Sequence, residues 1–120
     1  MNNALKSFHA IIDGDMSADI VSEVIDTNFL TVQSVQFSWT GDAVGDFNVE
    51  VTNNPNTTGP YARTSNDWTP VPFSPQPAAA GVDGNAFINM DHLRAAAMRI
   101  TFTNTSGSGE LQAWFSGVNV

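Results

Sequence analysis

His9 and His92 are the only histidines in the chain, and cysteine is absent. Proton transfer or metal binding would therefore have to come from these two rings, the hydroxyls and twelve carboxylates. Neither histidine stands in an HExxH or GxSxG pattern, and both read as surface or turn residues. Serine is plentiful, yet no spacing marks one as a nucleophile paired with a base. Asp42, Asp46, Glu50, Asp67, Asp83 and Glu110 could supply the paired carboxyls of glycoside hydrolysis. Most of them sit in turn-like stretches, where an aspartate ordinarily accepts from its own backbone. Asp13-Gly14-Asp15-Met16-Ser17-Ala18-Asp19 sets oxygen ligands at alternate positions, as a calcium loop does. Ala18 and Val24 then fall where that loop needs Gly and Glu, so no metal is expected. The sequons at Asn56-Thr57-Thr58 and Asn104-Thr105-Ser106 are matches a Thr- and Asn-rich chain produces by chance. The reading is a non-enzyme with no catalytic residue and no cofactor.

Binding is the remaining chemistry. Trp114 falls out of step with the apolar Ala113 and Phe115, and Trp68 adjoins a long polar stretch containing Tyr61 and Arg63. Exposed Trp and Tyr can stack on sugars or anchor a protein interface. Tyr61, Arg63, Trp68 and Trp114 are the candidate binding residues. Four basic residues against twelve acidic ones give a formal charge of -8, which repels phosphate backbones and anionic lipid, so neither nucleic acid nor membrane is an expected partner. Charged residues make up only 13% of the chain, about half the usual ~25%. An uncharged polar surface of that kind suits faces that meet a partner.

The elements that must position these residues are strands. Val35, Phe37 and Trp39 alternate with Ser34, Gln36 and Ser38; after Gly41-Asp42-Ala43-Val44-Gly45, Phe47, Val49 and Val51 alternate with polar residues. These runs read as a β-hairpin. Met98, Ile100 and Phe102, then Leu111, Ala113 and Phe115 across Asn104 to Gly109, read as a second. Asn53 to Asn66 reads as a loop, and the prolines of Trp68 to Phe73 confine that segment to a sheet edge. Ala86 to Met90 is a short strand, and Asp91 to Ala97 a single helical turn with Asp91 as its N-cap. Asp19 to Asp26 and Phe29 to Val32 are further strands, while Met1 to Ile12 is open between helix, strand and arm. Seven or eight strands with turns at intervals of roughly ten residues predict an all-β antiparallel sandwich or jelly-roll-like barrel. No segment carries the long amphipathic helix a parallel α/β fold requires. One domain is expected, with residues 1–30 as an N-terminal arm and first strands and 31–120 as the body. No membrane span and no secretory leader are expected.

Several motifs carry a family likeness: Trp39-Thr40-Gly41, Gly45-Asp46-Phe47, Val49 to Asn53, Trp68-Thr69-Pro70-Val71-Pro72, and Thr105 to Gly109 followed by Ser116-Gly117. Over residues 30–118 the chain resembles small phage-encoded β-sandwich virion proteins of discoidin-like build. It departs from them in the insertion NPNTTGPYARTSN and in the Ala-rich Leu93 to Ala97. The resemblance implies a bacteriophage virion structural protein: a capsid decoration or cement protein, or a minor capsid protein. It would dock on viral coat protein and on copies of itself, for instance as a trimer, in a virion assembled in the host cytoplasm. The alternative is a carbohydrate- or receptor-binding module of a spike or tail, its partner a glycan or host receptor. The family brings no catalytic residues.

Overall fold

Alternation of apolar and polar side chains dictates extended backbone here, because only a strand places every second residue on one face. The computed structural model describes residues 5–28, 30–91 and 93–118. Ten strands run through it: β1 (Leu5–Asp15), β2 (Ile20–Val21), β3 (Ile25–Asp26), β4 (Val32–Gly41), β5 (Val44–Thr52), β6 (Thr69–Pro70), β7 (Ala78–Ala80), β8 (Gly84–Asp91), β9 (Ala97–Ser106) and β10 (Gly109–Val118). The first sheet has the order β1-β10-β4-β8, and the second the order β2-β9-β5-β6, with β3 also on β9 and β7 also on β5. Every pairing is antiparallel.

Taking β2 with β3, and β6 with β7, as one position each leaves eight strands in two sheets of four. That is the jelly-roll arrangement. The short pieces account for finding ten strands where seven or eight are expected. Ser22 shows why β2 and β3 still act together: its backbone N–H donates to the Ile100 carbonyl at 2.8 Å and its Oγ accepts from the Ile100 N–H at 2.8 Å.

The core lies between the sheets. Phe37, Val49 and Ile100 are 0% exposed and Phe115 is 1% exposed, so the inward phase read from the sequence is the buried one. Phe47 is its hub, with ring centroids 4.5 Å from Phe37, 4.8 Å from Trp39 and 5.1 Å from Phe102. Fully burying such side chains contributes roughly 1.5–3 kcal/mol each.

Neither expected hairpin forms. β4 and β5 lie in different sheets, as do β9 and β10, so each turn arches over the core. Period-two alternation is identical whether two strands lie side by side or face to face, and Gly-rich turns serve both. The two arches brace one another: the Asp42 N–H donates to the Ser108 carbonyl, and the Ser108 N–H to Asp42 Oδ1, both at 2.9 Å. Gly107 makes this approach possible. It has φ +74, and a Cβ there would stand 2.3 Å from the Asp42 carbonyl oxygen.

Among the described residues of Asp91 to Ala97 the expected helical turn does not form. Asp91 closes β8 and Ala97 opens β9. The segment between is drawn out by distant partners: Gln33 Nε2 donates to the Leu93 carbonyl (3.0 Å), Thr27 Oγ1 to the Ala95 carbonyl (3.0 Å), and the Ala96 N–H to the Thr52 carbonyl (2.9 Å). His92 lies outside the described residues, as do Phe29 and Met1 to Ala4. Of the conformations open for the N-terminus, Leu5 to Ile12 is strand. The Pro-bearing segment does sit at an edge, Thr69 and Pro70 pairing with Val51 and Glu50.

Candidate functional site

The four candidate binding residues divide between the two sheets. Trp114 is on the outer face of the first, at the centre of a row made by direct cross-strand pairing: His9, Trp114, Gln36, Phe87. The paired residues of the neighbouring rows are uncharged, Ser7-Ser116-Ser34-Asn89 on one side and Gln112-Ser38-Asn85 on the other, where Asp13 bonds Gln112 at the β1 end. Trp114 is 39% exposed because the His9 ring stacks on it, centroids 5.0 Å apart and planes 16° from parallel. Nε2 of that ring lies 2.9 Å from Gln112 Oε1. His9 thus holds an indole in place, a role its position in β1 permits and its sequence neighbours do not disclose. Phe87, 64% exposed, is the aromatic that sequence reasoning missed: Ala86 to Met90 reads as a mixed strand in which nothing singles it out.

Tyr61, Arg63 and Trp68 belong to the long connection from β5 to β6, beside the second sheet. A turn of 3-10 helix at Ser65–Asp67 orders it, capped by Thr64. Asp67 Oδ2 accepts from the Thr64 N–H at 2.8 Å and from Asn54 Nδ2 at 3.4 Å. Arg63 Nε donates to the Asn54 carbonyl at 2.6 Å, and its guanidinium carbon lies 5.9 Å from the Trp68 ring centre. Arg99 of β9, not singled out in the sequence, comes closer at 4.6 Å and pairs with Glu50 at 2.6 Å. Two guanidiniums therefore flank one half-buried indole, an attraction worth about 0.5–1 kcal/mol per contact at such a site. Tyr61 is 79% exposed. The structure thus joins Arg63 with Trp68, keeps Tyr61 nearby in the same loop, and puts Trp114 on the opposite sheet.

Several carboxylates are committed to hydrogen bonds that hold turns and strand ends. Asp15 accepts from the Ser17 hydroxyl (2.7 Å) and backbone N–H (2.9 Å), which lowers its pKa from the ordinary 3.8. Asp13 accepts from Gln112 Nε2 at 2.5 Å, Asp19 from the Asn104 N–H at 2.8 Å, and Asp83 from the Gly41 N–H at 2.7 Å. The alternate oxygens of the Asp13 to Asp19 stretch therefore face different partners. Among the described residues no group of three or more His, Asp or Glu is placed to hold a metal ion. At the far end of the sandwich a hollow of about 540 Å³ is lined by Thr27, Asn28, Asn53 and Arg94 with Leu30, Thr31, Ala95 and Ala96. Among the described residues its lining includes neither a carboxylate nor a histidine.

Charge is divided lengthwise. The half carrying the arches holds Asp13, Asp15, Asp19, Asp42, Asp46, Asp83 and Glu110 and no base. The opposite half holds all four bases, Lys6, Arg63, Arg94 and Arg99, with Glu23, Asp26, Glu50, Asp67 and Asp91.

No protein-family model matches the chain, and no curated protein does. Solved structures do. A chain in the structure of infectious bursal disease virus, Gx strain, superposes with a TM-score of 0.57 at 8% identity, over 99% of this chain and 32% of that one. A chain in the crystal structure of the infectious bursal disease viral particle superposes with a TM-score of 0.59 at 11% identity, over 98% of this chain and 31% of that one. The likeness is one of fold, and this chain spans about a third of the length of the virus chains it matches.

Proposed function

We propose that the chain is a virion structural protein and, on its sequence motifs, a bacteriophage one: a decoration, cement or minor capsid protein. It docks on coat subunits as a homo-oligomer and does no chemistry of its own. One observation carries the reading: nearly the whole chain superposes on part of chains found in virus structures, in a jelly roll, an arrangement that viral capsid domains use. The division of charge supports an orientation. The arch end, with seven carboxylates and no base, faces solvent and keeps particles apart. The opposite end, where four bases nearly balance five carboxylates, meets the shell, and the largely uncharged rows around Trp114 face neighbouring subunits, where charge depletion and aromatic side chains favour contact. The test is cosedimentation of the purified chain with particles that lack it. Binding should saturate at a fixed ratio to the major coat protein, and Arg94→Glu, exposed at the end that carries the bases, should lower occupancy about tenfold. A chain that stays in the supernatant overturns the reading.

A second reading rests on exposed Tyr61 beside Arg63 and Trp68: a glycan or receptor platform, a use to which lectin jelly rolls put the same fold. Saturable sugar binding lost in both Tyr61→Ala and Trp68→Ala would carry it. A glycan array without hits would end it.

A further inference from the structure

The first sheet ends in β1 on one side and β8 on the other, and the sequence treats these edges differently. β1 is broken by register shifts between His9 and Ile11 and between Ile11 and Gly14, and Asp13 takes a φ of +50. Bulges of this kind twist an edge out of line for pairing. β8 has none of this: it pairs with β4 from Asp91 to Gly84 without a shift, and residues 84–90 (GNAFINM) hold no charge and no proline. The second sheet is bordered by short pieces, one containing Pro70.

With β4 on one side of β8, every second N–H and C=O points to the other side. Among the described residues no further strand pairs with that side. It opens on a groove of about 460 Å³ whose walls are Ala86 to Asn89 and the uncharged Phe73, Ser74, Pro75 and Pro77. Phe87, 64% exposed, stands at its lip.

We propose that β8 is a self-association edge, pairing antiparallel with β8 of a second copy about a two-fold axis at Ile88 to join two four-stranded sheets into one of eight. Charge selects the occupant. A chain of net charge -8 repels its own copies, and residues 84–90 with the groove wall give one long uncharged strip on which two copies can meet. Symmetry and charge then select the register. Opposed residues in an antiparallel pair share a face, so the axis passes through a residue. At Phe87 it would set Asp83 against Asp91. At Ile88 it sets Ala86 against Met90 on the inner face, Phe87 against Asn89 on the outer face, and Asn85 against Asp91. This deepens the homo-oligomer part of the function proposed above and does not depend on which shell the protein occupies.

Sedimentation velocity on the isolated full chain tests it, with the double variant Phe87→Lys/Asn89→Lys as the probe. Both positions are exposed, so folding should survive, which circular dichroism checks. The lysines of two copies would face each other directly, yet two added positive charges bring -8 to -6 and lessen overall repulsion. Weakened association would then be local to the edge. The expected result is a reversible dimer of two 12.8 kDa chains, tighter at ~1 M salt than at ~0.1 M because screening shortens from about 10 Å to about 3 Å. The double variant should associate at least about tenfold more weakly, and amides of residues 84–90 should gain exchange protection as concentration rises. A wild-type chain monomeric at every concentration overturns the proposal, as does a dimer indifferent to the two lysines or protection that appears only on adding coat subunits. The virion reading is scored separately: a monomeric variant that still cosediments with particles keeps docking, and a dimer that ignores particles keeps only the edge.

Discussion

Phe47 is where the core is most sensitive, and a comparison with Phe115 measures why. Both side chains are essentially buried, so Phe→Leu removes similar apolar surface at each. Phe47 touches the rings of Phe37, Trp39 and Phe102, while among the described residues Phe115 has no such ring contact. Aromatic pairs add roughly 0.5–1.5 kcal/mol each beyond their burial. Three of them should make Phe47→Leu more destabilising than Phe115→Leu by at least about 1.5 kcal/mol. Urea unfolding followed by tryptophan fluorescence reads this as a difference in midpoint of roughly 1 M at unchanged slope. In a thermal scan it corresponds to at least about 5 °C. If the two variants agree within about 0.5 kcal/mol, the ring contacts add nothing to burial and the reasoning fails.

Gly107→Ala should cost more than about 2 kcal/mol, since it combines a positive φ with a collision against the Asp42 backbone. Gly59→Ala, with a positive φ and nothing within 4 Å, should cost only the conformational part, about 1 kcal/mol; equal losses in thermal melts would refute the brace between the arches. Asp15 should titrate below 3.8, chiefly through the Ser17 hydroxyl and then its N–H. A depressed folded-state pKa means its contribution to stability is complete above the unfolded value near 3.8 and disappears as pH falls through the folded one. In Ser17→Ala the carboxyl carbon observed by NMR should titrate closer to 3.8, and no movement would refute the assignment.

Inward residues were legible from the sequence because alternation reports which face is dry, and Phe37, Val49, Ile100 and Phe115 all follow it. Connectivity was not legible. Alternation in β4 and β5 carries no information on whether Phe47 lies beside Phe37 or across the core from it. The missing helical turn has a similar origin: Asp91 and three alanines favour a helix locally, but Gln33, Thr27 and Thr52 draw the following backbone into tertiary hydrogen bonds. For the candidate site, exposure of Tyr61 followed from its loop. The pairing of Arg99 with Trp68 and of His9 with Trp114 depends on neighbours 31 and 105 residues away in the chain.

Seven carboxylates without a base in one half, against four bases nearly balanced by five carboxylates in the other, make one end of the molecule strongly acidic and the other almost neutral. A neighbour's field exerts a torque on such a body before any atoms touch, within the ~10 Å over which charges are felt at moderate salt. An anionic surface is therefore repelled least by the near-neutral half that carries Lys6 and the three arginines, while a cationic one draws in the arches. Orientation is chosen during approach, and contact inherits it.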